Sequence, residues 1–114
     1  MVRNFREEVE QMLEDHGGLY TFDDILDQIH SGKMQSFTDG QSWAVTAVHQ
    51  FPQKTVLEVV FVVGNLDALK ILEDQLLAFK EEVGAEMMMA SGRLGWLKAK
   101  FDGWKAVSVN FVRA

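Results

Sequence analysis

The stretch from Thr55 to Val63 limits the possible folds more than any other part of the chain. It reads Thr-Val-Leu-Glu-Val-Val-Phe-Val-Val, apolar almost throughout and interrupted only by Glu58. Its β-branched and aromatic content favours a strand. It lacks the two-residue alternation of a strand with one wet face, so it is expected to be central, with helices covering both of its faces.

The flanking segments supply those helices and the rest of a sheet. Residues 3 to about 16 place Phe5, Val9, Met12 and Leu13 at helical spacing, and Gly17-Gly18 ends the run. Thr21 reads as an N-cap with Asp23 and Asp24 in the first turn, where acids suit the helix dipole. Phe22, Ile25, Leu26 and Ile29 form the apolar face of that second helix, which Gly32 stops. Met34 to Thr38 is a weak strand, and Asp39-Gly40 is a hairpin signal. Ser42 to Phe51 alternates, with Trp43, Val45, Ala47, His49 and Phe51 on one face, and Pro52-Gln53 turns the chain into the central strand.

After that strand, Gly64-Asn65 opens a helix with Asn65 as N-cap. Leu69, Leu72, Leu76, Phe79 and Val83 are its core stripe and Gly84 its end. Ala85 to Ala90 is expected to be a short buried strand. Met87, Met88 and Met89 cannot all face one way along it, so at least one meets the opposite side of the sheet. Arg93 to Asp102 reads as a helix with Leu94, Leu97 and Phe101 inward, and Lys105 to Val112 as a last, alternating strand. The expected class is α/β, a mixed central sheet with helices on both faces. It forms one domain over residues 1–114: an acidic helical front (1–32), a strand meander (33–63) and a helix-strand-helix-strand half (64–114).

The chain has 114 residues, enough for one core, and no cysteine, which excludes disulfides and thiolate metal sites. No apolar run has the ~20 residues of a membrane span, and residues 1–8 lack a signal-peptide core, so a cytoplasmic protein is expected. The net charge of -6 is concentrated in residues 1–32. Those residues carry Glu7, Glu8, Glu10, Glu14, Asp15, Asp23, Asp24 and Asp27 against Arg3 and Arg6. Such a front repels phosphate and argues against nucleic acid as a partner. Arg93, Lys98, Lys100 and Lys105 reverse the balance near the end, either as a contact for an anion or an acidic partner or as a solvated helix face.

Glu58 carries a carboxylate into an apolar strand, which is costly unless it is paired or wet. It is either functional, or it pairs with a base or faces solvent past the helices. His49, on the neighbouring strand, either shuttles a proton or is packed and hydrogen-bonded. His16 and His30 sit at helix ends, where a cation suits the dipole. Arg93 follows Gly92 at a helix start and either binds an anion or bonds to strand-end carbonyls. Trp96 and Trp104 read as core fillers. No His, Asp or Glu pair has metal-ligand spacing, so no metal is expected.

The order of elements, the Val63-Gly64-helix unit and the block Ser91-Gly92-Arg93-Leu94-Gly95-Trp96 to Gly103-Trp104 together resemble the GNAT superfamily of N-acetyltransferases, without its usual first strand. The last block is also similar to short bacteriophage-encoded GNAT-like proteins. The resemblance implies acetyl-coenzyme A as cofactor, its pyrophosphate on backbone N–H groups where the central strand meets the next helix. It thereby assigns Val63, Gly64, Asn65, Leu66 and Ala68 to cofactor binding and makes Glu58, or His49, the general base for the attacking amine. The chain departs from the family pattern in three ways. The second glycine of the phosphate loop is missing, Asp67 brings a carboxylate to the first helical turn, and Ala99 stands where a tyrosine would protonate the leaving thiolate. These departures favour a catalytically silent protein, phage-encoded and virion-associated, that needs no cofactor and acts by contact with a protein partner or with itself. The alternative is an active acetyl-coenzyme A-dependent N-acetyltransferase.

Overall fold

A computed structural model describes residues 5–15, 18–64, 66–90 and 113. Two helices, α1 (Arg6–Asp15) and α2 (Phe22–His30), precede a meander of β1 (Gln35–Thr38), β2 (Ser42–Gln50) and β3 (Thr55–Gly64). Helix α3 (Leu66–Glu82) then leads to β4 (Met87–Ala90). The strand order is β1-β2-β3-β4, antiparallel through β3 and parallel between β3 and β4. The sheet is therefore mixed, and among the described residues no strand precedes α1.

Local chemistry sets the boundaries. Thr21 Oγ1 accepts from the Asp24 N–H at 3.1 Å, and Asp24 Oδ2 accepts from the Thr21 N–H at 2.9 Å, a reciprocal capping box that starts α2. Between β1 and β2, Asp39 Oδ1 accepts the N–H groups of Gln41 and Ser42 and closes the turn. Between β2 and β3 the Phe51 N–H donates to the Lys54 carbonyl at 2.8 Å.

Each face of the sheet has its own helical cover. Phe5, Val9, Met12 and Leu13 of the α1 segment and Ile25 of α2 pack on Trp43, Val45, Ala47 and Phe61. On the other face Leu72 and Leu76 of α3 meet Ala44, Val59 and, at their margin, Phe37, Val62 and Met88. Full burial of the Val, Leu, Ile, Phe and Met side chains among them contributes about 1.5–3 kcal/mol each. Arg6 joins the two front helices: its guanidinium bonds Glu10 at 2.6 Å and lies 4.8 Å from the centre of the Phe22 ring.

A β-bulge interrupts β3. Val45 pairs with Phe61 but Thr46 pairs with Val59, so Val60 has no counterpart on β2. The extra residue reverses the side-chain parity of the strand. Val59 and Val62, three residues apart, both face α3, while Val60, Phe61 and Val63 face α1 and α2. An unbroken apolar run is what such a strand needs.

Three expectations are corrected. Leu26 is 41% exposed, because Phe22, Ile25 and Ile29 already align on the sheet and leave it on the flank. Phe51 lies outside β2 and is exposed, since its N–H serves the turn. The strand expected to be buried over Ala85 to Ala90 is Met87–Ala90, and Met87 and Met89 are 36% and 41% exposed. Met88 packs on the α3 side; the other two methionines lie beside the half of β3 that α1 and α2 leave uncovered.

Candidate functional site

The β2–β3 turn sets a register in which Gln50 faces Thr55, His49 faces Val56 and Ala47 faces Glu58. Cross-strand partners share a face of the sheet. Ala47 belongs to the core under α1 and α2, so Glu58 points to that same side, and so does His49, two residues from Ala47. There His49 Nε2 lies 3.0 Å from Glu58 Oε1, with the two side chains 46% and 45% exposed. The carboxylate interrupting the central strand is thus both paired and wet, at the end of β3 beyond the helices. Two residues considered separately in the sequence are brought into one hydrogen-bonded pair, partnered by a histidine rather than by Lys or Arg. With the imidazole neutral and protonated at Nε2, it donates to the carboxylate and presents Nδ1 as a base. The Phe51 ring lies 6.0 Å from the imidazole, and Met87 and Met89 are the β4 neighbours of Val56 and Glu58.

The second candidate place is the junction of β3 and α3. Gly64 has φ +125°, a conformation L side chains rarely adopt, and it pairs with Ser42. A Cβ added there would overlap the Gln41 carbonyl oxygen and stand 2.6 Å from Ser42 Cα and 2.9 Å from Ser42 Oγ. The close approach that demands glycine is thus made by the β1–β2 hairpin. Val63 packs against the core under α1 and α2. Asn65 and the side chains of Leu66 and Ala68 lie outside the described residues, as do His16, the expected helix and strand over residues 93–112, and Arg93, Trp96, Lys98, Ala99, Lys100 and Trp104 with them.

Sequence reasoning missed two features. One is the bulge at Val60, which an unalternating run does not betray. The other is a cavity of about 320 Å³ between α1 and the start of α2, lined among others by Arg6, Glu14, Tyr20 and Asp23. Among the described residues no group of three or more His, Cys, Asp or Glu could hold a metal, and no helix is long and apolar enough to cross a membrane.

No protein-family profile and no curated protein matches the sequence. Solved structures do match. A probable acetyltransferase superposes with a TM-score of 0.59 at 7% identity, over 93% of this chain and 90% of that one. TTHA1254 from Thermus thermophilus gives 0.59 at 17% identity, over 98% and 97%. The ribosomal-protein-alanine N-acetyltransferase of Brucella melitensis biovar Abortus 2308 gives 0.51 at 15% identity, over 94% of each chain. The fold is GNAT-like.

A GNAT-like fold that is active implies acetyl-coenzyme A, and its phosphates would need the β3–α3 junction. The described residues there do not fit that group. The one glycine described there is occupied in packing on Gln41 and Ser42, and the sequence has an acid, Asp67, as second residue of α3, where a helix start would otherwise suit an anion.

Proposed function

We propose that this GNAT-like chain is catalytically silent and works through contact with a protein partner or with a second copy of itself. The observation that carries the proposal is Gly64: its glycine character is accounted for by the hairpin packed against it, so the close approach of a phosphate is not needed to explain it. Strand β1, at the edge of the sheet, supports self-association, because an edge offers main-chain hydrogen bonds to a further strand. The similarity of residues 92–104 to phage-encoded GNAT-like proteins supports a phage setting, with action in the host cytoplasm and in the virion; peptide mass spectrometry of purified particles tests it. Calorimetric titration with acetyl-coenzyme A is expected to give no saturable binding at micromolar cofactor, and tight binding would overturn the proposal. Asp67→Gly is expected to create or strengthen affinity for the coenzyme by removing the repelling carboxylate.

The His49–Glu58 contact favours a second reading, an active N-acetyltransferase in which this pair takes the proton of the attacking amine and the backbone of residues 64–68 seats the phosphates. On that reading Glu58→Gln lowers turnover about 10²–10⁴-fold, the usual worth of a general base, and leaves cofactor affinity alone. Unchanged turnover removes Glu58 as the base.

A further inference from the structure

Strand β1 borders the sheet, and among the described residues nothing pairs with its outer side. The Asp39 N–H donates to the Ser42 carbonyl, which fixes the alternation of the β1–β2 hairpin. Counting back by twos, the main-chain groups of Phe37 and Gln35 face β2, and those of Ser36 and Thr38 face outward. The outward N–H of Met34 is taken by the Gln28 carbonyl, so the open edge runs from Ser36 to Thr38. Met34 to Thr38 reads Met-Gln-Ser-Phe-Thr, without charge or proline, and its register with β2 has no bulge. Its one guard is its length of four residues. On the α3 side Phe37 leans on Phe79, ring centres 5.3 Å apart, and both residues stay half-buried at this border.

We propose that β1 pairs antiparallel with β1 of a second copy, about a twofold axis at Phe37, so that two sheets become one. The inference rests on the contact reading of the function and names the second copy as the partner; it is independent of catalytic silence. Outward groups at Ser36 and Thr38 are what such a pair needs. Ser36 of each copy then faces Thr38 of the other, and each of these two pairs exchanges two N–H···O=C bonds. Phe37 meets Phe37 of the second copy at a non-hydrogen-bonded position, where Cα atoms stand about 4.5 Å apart. The half-buried Phe37 and Phe79 rings thereby gain an aromatic neighbour. Charge selects the antiparallel sense. Exposed Lys33 precedes the strand and exposed Asp39 follows it, so each end of the pair brings the cation of one copy toward the carboxylate of the other. A parallel pairing sets like beside like.

The test is sedimentation equilibrium of the full chain across the micromolar to millimolar range, with amide hydrogen exchange followed by NMR at both ends of it. A short interface is at the weak end of the scale, so a dimer is expected that dissociates on dilution. The N–H groups of Ser36 and Thr38 are expected to gain protection with concentration, while that of Phe37, already bonded to β2, stays unchanged. Lys33→Glu, at an exposed position, is expected to weaken the dimer about 3–10-fold. The chain has no cysteine, so Phe37→Cys gives a clean cross-link: the twofold brings the two Cα atoms within the roughly 4.4–6.8 Å of a disulfide, and mild oxidation is expected to join the copies. Leu77→Cys, exposed on α3, is the control that stays unlinked. A monomer at every concentration, a dimer whose Ser36 and Thr38 amides stay unprotected, a dissociation constant unmoved by Lys33→Glu, or cross-linking of Phe37→Cys no greater than that of the control would each overturn the proposal. The exchange measurement uses the unaltered chain and does not depend on how a variant folds. A persistent monomer removes the self-pairing and leaves contact with another protein standing, while catalytic silence is decided separately by the coenzyme titration.

Discussion

Gly64→Ala is expected to destabilise the protein by about 2–5 kcal/mol, the sum of roughly 1–2 kcal/mol for an L residue at a φ it disfavours and 1–3 kcal/mol for overpacking. In a chain of this size that is a fall of about 10–20 °C in Tm. The cost is high because the atoms a methyl would meet, the Gln41 carbonyl and Ser42 Cα, are backbone within a hydrogen-bonded hairpin and cannot rotate away. Gly84→Ala is the control. Gly84 also has positive φ, +72°, but open space where its Cβ would go, so only the conformational cost of about 1–2 kcal/mol remains. Equal losses in a pair of thermal melts would remove the packing role of Gly64, and with it the argument that this glycine is not kept for a phosphate.

Trp43→Ala is expected to cost about 3–5 kcal/mol, the range for emptying a buried aromatic site. Trp43 is the point where the front helices and the sheet meet. Its ring packs against Phe5 at 6.2 Å, Phe22 at 5.9 Å and Phe61 at 5.1 Å, the last two edge-on. Its Nε1–H donates to Ser36 Oγ at 2.7 Å, tying β1 to the same centre. Trp43→Phe keeps the ring contacts and gives up that hydrogen bond and part of the volume, for a smaller loss of about 1–2 kcal/mol. Guanidinium denaturation followed by far-UV circular dichroism separates the two. A Trp43→Ala loss below about 1 kcal/mol would show that α1 and α2 are not held to the sheet through this ring.

Most of the described architecture was legible because it rests on local signals. The stripe Phe5, Val9, Met12, Leu13 is buried as a unit, Thr21 caps α2, and Asp39-Gly40 and Pro52-Gln53 turn the strands where turn chemistry places them. Errors arose where burial depends on a distant element. Leu26 and Met87 are apolar residues at sound periodic positions, and only the reach of the helices over the sheet decides that they stay wet. The candidate pair was half legible. His49 and Glu58 stood out singly, and the Pro52-Gln53 turn carried the register that makes them diagonal neighbours. What the turn could not reveal is that the bond lies beyond the helix cover, at 3.0 Å and in contact with solvent.

The residue inserted at Val60 divides β3 into two lengths whose inside and outside are set independently. Upstream of it, Glu58 looks out on the side where α1 and α2 lie; downstream, Phe61 is sunk into that same side. Forcing Val60 into one continuous alternation, with no bulge, would make either the carboxylate or the phenyl ring change sides. A chain built this way can vary the residues of its open end through many substitutions without disturbing the helix-covered half.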